Sequence, residues 1–157
     1  MFPELGPWLT IKDGDPRAYA LFSHHYSFHQ YRDNRRQRDR RIVGPGEALV
    51  LMTLANDALF VWKKFDNPAN EQGIYCSIFR NESHYLSSFL ILEAEKLALA
   101  KWPLTSRFYT YIDSKKVKPT RCRKGDYWGF CYLKAGWRQC DYVTKVNQKL
   151  VFEKVAA

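Results

Sequence analysis

Residues 74–103 read IYCSIFRNESHYLSSFLILEAEKLALAKWP, and their reading decides the fold. Residues 74–80 are rich in apolar, β-branched and aromatic side chains, the composition of a strand. Asn81 and Ser83 are residue types that start helices. Over residues 84–102, Leu86, Phe89, Leu90, Ala94 and Leu97 recur at helical spacing, and Pro103 stops the run. A strand feeding directly into a long helix is the repeating unit of sheets covered by helices.

The flanks extend the pattern. Residues 15–27 read as a helix, with Asp15 as cap, Pro16 in its first position, and Ala18, Leu21, Phe22, His25 and Phe28 near one face. Residues 47–54 and 58–64 read as strands joined by a turn at Asn56 and Asp57. Residues 107–113 form another strand. Residues 127–137 form a short helix ending at Gly136, and two strands close the chain. The order predicts a single-domain α/β (α+β) fold over 1–157, a mixed β-sheet flanked by helices. In such sheets ligands gather beyond the C-terminal ends of strands, which points to Arg80–Ser83 and to Asp113–Lys116.

The chain has 157 residues, enough for one domain with its own core. Hydrophobic residues make up 46% and aromatics 16%, which excludes a disordered tail. Lys and Arg number 25 against 16 Asp and Glu, a net charge of +9 that favours a polyanionic partner. Two loops concentrate this charge. Residues 32–41 hold six Arg and two Asp, among them Arg35, Arg36, Arg38, Arg40 and Arg41. The second loop, 114–126, carries Lys115, Lys116, Lys118, Arg121, Arg123 and Lys124. With nearby aromatics, both loops read as a grip on DNA phosphates and unpaired bases. No apolar run is long enough to span a bilayer, and no basic segment leads into an apolar leader, so a cytoplasmic location is expected. Cys76, Cys122, Cys131 and Cys140 have no zinc-knuckle spacing and are expected as free thiols.

Several residues could carry chemistry. Arg80, Ser83, Ser87 and Ser88 stand where a strand meets a helix N-terminus, a place for an anion such as a phosphate of a donor. Asn81 or Ser83 would also serve there as a plain cap, and Glu82 would oppose an anion. Asp113, at a strand's end, could orient an amine, act as a base or bind a metal, or simply close a turn. His25 could take a proton from an amine. His25, His29 and Asp113 would together suit iron, although a histidine satisfied at a helix end is the commoner outcome.

The element order is similar to that of GNAT acyltransferases. Within that superfamily four segments resemble the Mom-like DNA-modification proteins of bacteriophages. These are HHYS (24–27), RNESHYLSS (80–88), YID (111–113) and GFCYLKAGW (129–137). The resemblance implies a GNAT-like fold and a phage or prophage enzyme that modifies DNA bases in its bacterial host, typically at the exocyclic amine of adenine. It places roles on His25, Tyr26, Arg80, Ser83 and Asp113, and makes Tyr132 a candidate proton donor. The Gly-rich pyrophosphate loop of ordinary GNAT enzymes is missing at 80–88, so a donor other than acyl-CoA is compatible with the same scaffold. Two rivals stand beside this reading. One is an acyl-CoA-dependent N-acetyltransferase acting on a small molecule, protein or RNA. The other is a non-catalytic DNA-binding module.

Overall fold

A computed structural model describes residues 6–30 and 40–156. Arg35, Arg36 and Arg38 of the first basic loop therefore lie outside the described residues, as does the side chain of His29. Nine strands and three α-helices follow in order among the described residues: β1 (Trp8–Ile11), α1 (Pro16–Phe22), a 3-10 turn (Tyr26–Gln30), β2 (Glu47–Thr53), β3 (Ala58–Lys64), β4 (Ile74–Asn81), α2 (Ser87–Lys101), β5 (Arg107–Ile112), β6 (Thr120–Cys122), β7 (Gly125–Tyr127), α3 (Phe130–Lys134), β8 (Arg138–Val143) and β9 (Leu150–Val155). Seven strands form one sheet in the order β1-β2-β3-β4-β5-β9-β8, and β6 and β7 form a separate hairpin. All neighbours in the large sheet are antiparallel except β4 and β5. The mixed, helix-flanked sheet is the expected one.

Two apolar clusters cover the sheet. On one face α2 and α3 pack over Trp62, Phe60, Cys76, Phe108 and Phe152. On the other, Ala18, Leu21 and Phe22 of α1 pack over Val50, Leu59, Val61 and Ile78. Trp62 is fully buried and its indole N–H donates to the Ala94 carbonyl at 2.9 Å, so the largest core side chain leaves no donor unpaired. Trp137 and Lys154 meet buried Glu95 of α2 at 3.1 and 2.8 Å, tying α2 to the end of α3 and to β9. A buried carboxylate needs such partners.

Four expectations are corrected. The helix expected at 15–27 stops at Phe22, and its continuation is a 3-10 turn; Asp15 caps it through the Arg17 N–H as read. Helix α2 starts at Ser87 rather than at 84, because Asn81 organises the preceding residues instead of capping. Its Oδ1 accepts from Ser83 N–H and Oγ, while its Nδ2 donates to the Tyr85 carbonyl and to Ser87 Oγ. The buried face of α2 is Leu90, Ile91, Ala94, Glu95 and Ala98, which leaves Leu86 and Phe89 exposed. The second basic loop contains the β6–β7 hairpin, and β1 was not read from sequence.

The N-terminal ends of β4 and β5 are held close together. Gly73, just before β4, has φ +120°, and a Cβ there would overlap the Arg107 carbonyl. Arg107, the first residue of β5, donates to Glu153 at 2.7 Å and to Glu71 at 2.8 Å. Gly73→Ala combines a left-handed backbone with a clash against main chain, and should lower unfolding free energy by more than about 2 kcal/mol. Urea denaturation of wild type and variant checks this; a shift under half that value would mean β5 moves aside freely.

Candidate active site

The β4–β5 ladder lasts for only three pairs, Ile74–Phe108, Tyr75–Tyr109 and Cys76–Thr110. Beyond it β4 runs on to Asn81 and β5 to Ile112, and the two strands part. A bulge occurs at the same point: Trp62 pairs with Cys76 and Val61 with Ile78, so Ser77 is the extra residue on β4. At the parting Thr110 Oγ1 donates to the Cys76 carbonyl at 2.8 Å.

The gap opens into a cavity of about 840 Å³. The 3-10 turn and the residue before it supply Tyr26 and His25. Strand β4 supplies Ser77 and Arg80, and the start of α2 supplies Ser87 and Ser88. From across the gap Tyr132 of α3 closes the floor, with Lys116 and Lys118 on the rim. Another cavity, about 1020 Å³, lies at the opposite end of the sheet between the β2–β3 end and the α2–β5 connection. It is larger but holds none of the residues singled out by sequence, so chemistry is assigned to the gap.

Each group in the gap has a defined state. Tyr132 is almost completely buried, with its hydroxyl 3.4 Å from Cys76 Sγ. Burial, then the neighbouring Cys76 and Cys131, raises its pKa well above the ordinary phenol value, so it keeps its proton. Helix α3 can approach this closely because Gly129 starts it with φ 64°; a Cβ there would fall 2.7 Å from Phe152 and 2.9 Å from Ile112.

His25 is pulled down to about 4, first by burial and then by the charge of Arg80. Ser27 N–H donates to its Nδ1 at 3.2 Å, and Ser27 Oγ lies 2.7 Å from the same atom. Nδ1 is thus an acceptor, the ring proton sits on Nε2, and neutral His25 meets a ligand as a donor. Arg80 Nε donates to Glu82 at 2.9 Å, and His24 meets the same oxygen at 2.8 Å. Hydrogen bonds from His24 and then Arg80 hold the Glu82 carboxyl below its usual range.

Helix α2 begins at the mouth of the gap. Its N-cap is Leu86, and no side chain caps it. The first turn of this fifteen-residue helix thus has backbone donors that its N-cap side chain does not satisfy, and Leu86, Ser87 and Ser88 line the cavity.

The other sequence-derived residues lie elsewhere. Ser83 does not line the cavity; its hydroxyl bonds Asn81 at 2.6 Å. Asp113 is buried and its carboxylate accepts from Lys115 N–H at 3.0 Å, closing the turn after β5 outside the cavity lining. Arg121, Arg123 and Lys124 are exposed on the β6–β7 hairpin. Arg40 lies over the Tyr19 ring at 5.5 Å, away from the gap, and Arg41 passes near Gly14. Among the described residues no group of three His, Cys, Asp or Glu could hold a metal. The four cysteines are unpaired. No helix among the described residues is long and apolar enough to cross a membrane. Sequence reading passed over Ser77, Thr110 and Cys76, which sit where the strands part. A bulge leaves no reliable mark in the sequence, so no signal there could have singled them out.

No family model matches the chain, and no curated protein is similar to it in sequence. Solved structures are similar in shape. A Bacillus subtilis acetyltransferase in complex with CoA matches with a TM-score of 0.56 at 10% identity, over 96% of this chain and 98% of that one. An acyl-CoA N-acyltransferase from Pseudomonas aeruginosa gives a TM-score of 0.56 at 13% identity, over 94% and 98%. The chain shares the fold of these two proteins. N-acetylglutamate synthase from Neisseria gonorrhoeae, complexed with coenzyme A and N-acetyl-glutamate, gives a TM-score of 0.54 at 8% identity over 98% of this chain and 36% of that one. In this chain, the parted β4 and β5, the bulge and the open helix start lie together.

The His25 state gives a pH prediction. Its folded pKa of about 4 lies below the unfolded value of 6.5, so the unfolded chain binds the proton more readily. The associated stability is complete above pH 6.5 and is lost as pH falls from there towards 4. About 3 kcal/mol is at stake by the usual conversion of roughly 1.4 kcal/mol per pKa unit. His25→Gln should flatten the fall in melting temperature between pH 6.5 and 5; parallel wild-type and variant curves would mean His25 is not the group responsible.

Proposed function

We propose that this chain is a CoA-dependent N-acyltransferase. The observation that carries the reading is the coincidence, in one cavity, of the parted β4 and β5, an uncapped helix start at the mouth and a buried protonated tyrosine on the floor. The missing Gly-rich loop does not rule out an anion site, because the uncapped start of α2, with Ser87 and Ser88, borders the cavity without it. Those groups would hold the pyrophosphate, and Lys116 and Lys118 would add charge at the rim. Arg80 would contribute less, since Glu82 already pairs with it.

Bound acyl-CoA supplies an activated acyl carbon: the acceptor's amine nitrogen bonds to it, the carbon–sulfur bond breaks, and the electron pair leaves on sulfur. Tyr132 supplies the proton which that sulfur takes, and the proton shed by the acceptor nitrogen restores the Tyr132 hydroxyl. His25, through Nε2–H, and the Ser77 hydroxyl are donors that orient the carbonyl or the acceptor. The strands that form the parallel ladder would hold the reacting groups beside Cys76 and Thr110.

A second reading keeps this chemistry and makes the acceptor the exocyclic amine of a DNA base, the phage-type modification that the motifs resemble. The exposed, acid-poor hairpin bearing Arg121, Arg123 and Lys124 favours it. Its bacterial cytoplasmic setting and its use of DNA belong to this reading alone.

Four measurements test these readings. Calorimetry should detect CoA binding to the wild type. Leu86→Asp, which caps α2 and adds a negative charge at the phosphate position, should weaken that binding at least about tenfold without lowering stability; unchanged affinity would move the phosphates elsewhere. Tyr132→Phe should cut kcat about a hundredfold and leave CoA affinity within a few fold. For the DNA reading, replacing Arg121, Arg123 and Lys124 by Ser should weaken single-stranded DNA binding and reduce its salt dependence by two to three charges, roughly. Nucleoside mass spectrometry of DNA from expressing cells then reads the modification; a salt-independent, unmodified result ends this reading.

A further inference from the structure

On the α1 face of the sheet a smaller cavity of about 230 Å³ adjoins the gap. Tyr26, Ser77 and Tyr111 line both spaces, so the small cavity borders the parting of β4 and β5. Its walls are Phe22, Ile42, Val43 and Ile78 with Tyr75 and Tyr111. Its charges are Lys63 and Lys149, and no Asp or Glu lines it. Lys63 Nζ lies 4.2 Å from the centre of the Phe65 ring, and among the described residues neither lysine has a carboxylate partner. Burial alone lowers the Lys63 pKa, the cost of keeping a cation in a partly apolar wall without a counter-charge. The Ser77 hydroxyl, at the junction, is buried and has no hydrogen-bond partner among the described residues.

These features define a polar gradient. Lys63 makes one end positive, the middle is apolar and aromatic, and the other end is the unsatisfied Ser77 hydroxyl beside the reaction centre, with Lys149 on the gap side. We infer that this cavity binds the acceptor, and that the acceptor is a small amine with an anionic group at its other end, read by Lys63. The volume suits a molecule the size of a single amino acid, and the apolar middle suits a short aliphatic or aromatic body. The anion offsets the desolvation of Lys63, which an uncharged tail would leave in place. With the anion held there, the amine points through Ser77 towards the gap. Lys63 is a specificity residue that does not touch the reacting atoms. The inference rests on the acyltransferase reading for the fate of the amine, but binding itself does not.

The test uses the full chain without acyl donor. Calorimetry compares 5-aminopentanoate with butylamine, which lacks its carboxylate, and O-phosphoethanolamine with ethanolamine. The anionic member of at least one pair should bind about tenfold or more tightly than its partner. Preference for 5-aminopentanoate or for O-phosphoethanolamine then tells a carboxylate reader from a phosphate reader. Lys63→Met, which keeps the stem packing on Phe65, should remove that preference, and Lys63→Arg should restore part of it. In turnover measured by thiol release, Lys63→Met should raise KM for the anionic amine about tenfold with kcat within threefold. If uncharged-tail amines bind as well as their anionic partners, or if Lys63→Met leaves the preference intact, the inference is overturned. CoA calorimetry on the same samples separates the two ideas: loss of CoA binding with a retained anion preference sinks the transferase reading and leaves this cavity's assignment standing.

Discussion

The parallel ladder between β4 and β5 stops after Cys76 and Thr110, and the site follows from that stop. Parallel strands that continued in register would fill the space that the cavity occupies. Their N-terminal ends cannot separate, because Gly73 brings main chain against main chain and Arg107 binds two carboxylates there. Their C-terminal ends cannot pair, because Ser77 is an inserted residue and Thr110 takes the Cys76 carbonyl with its side chain. The sheet is therefore clamped at one end and open at the other.

The open end is electrostatically one-sided. Among its lining residues the cations Arg80, Lys116, Lys118 and Lys134 face no Asp or Glu. Glu82 lies just outside and takes up part of the charge of Arg80 and His24. The protonatable groups inside stay neutral: Tyr132 keeps its proton because burial penalises tyrosinate, and His25 does without a second proton because burial and Arg80 penalise imidazolium. A neutral donor set within a cationic rim suits an anionic ligand whose reacting end is uncharged.

Much of the fold was legible locally. Residues 47–64 showed two strands and their turn, and Asn56, with φ 59°, turns where the sequence said it would. Asp15 and Pro16 marked the start of α1, and residues 138–155 showed two closing strands. Less of the site was legible. His25, Tyr26, Arg80, Ser87, Ser88 and Tyr132 do meet in one cavity, from elements far apart in the chain. Asp113 and Ser83, equally plausible on paper, bond to their own turns instead. An Asp or Ser at an element boundary carries the same sequence signal whether it faces a ligand or its neighbouring backbone.

The sequence by itself determined the types and order of the elements other than β1 and the β6–β7 hairpin, because helix and strand periodicity, caps and turn residues are local properties of the chain. It also determined that the protein is cationic and where that charge is concentrated. Only the tertiary structure decided which face of α2 is buried, since Leu86, Phe89 and Ile91 are alike in hydrophobicity and only packing against the sheet separates them. It alone decided that β4 and β5 part at Cys76, because a one-residue bulge and a parallel pairing are relations between strands. It alone placed Lys63 and Lys149 in one small cavity, because residues so far apart in the chain become neighbours only when β3, β4, β5 and β9 lie side by side.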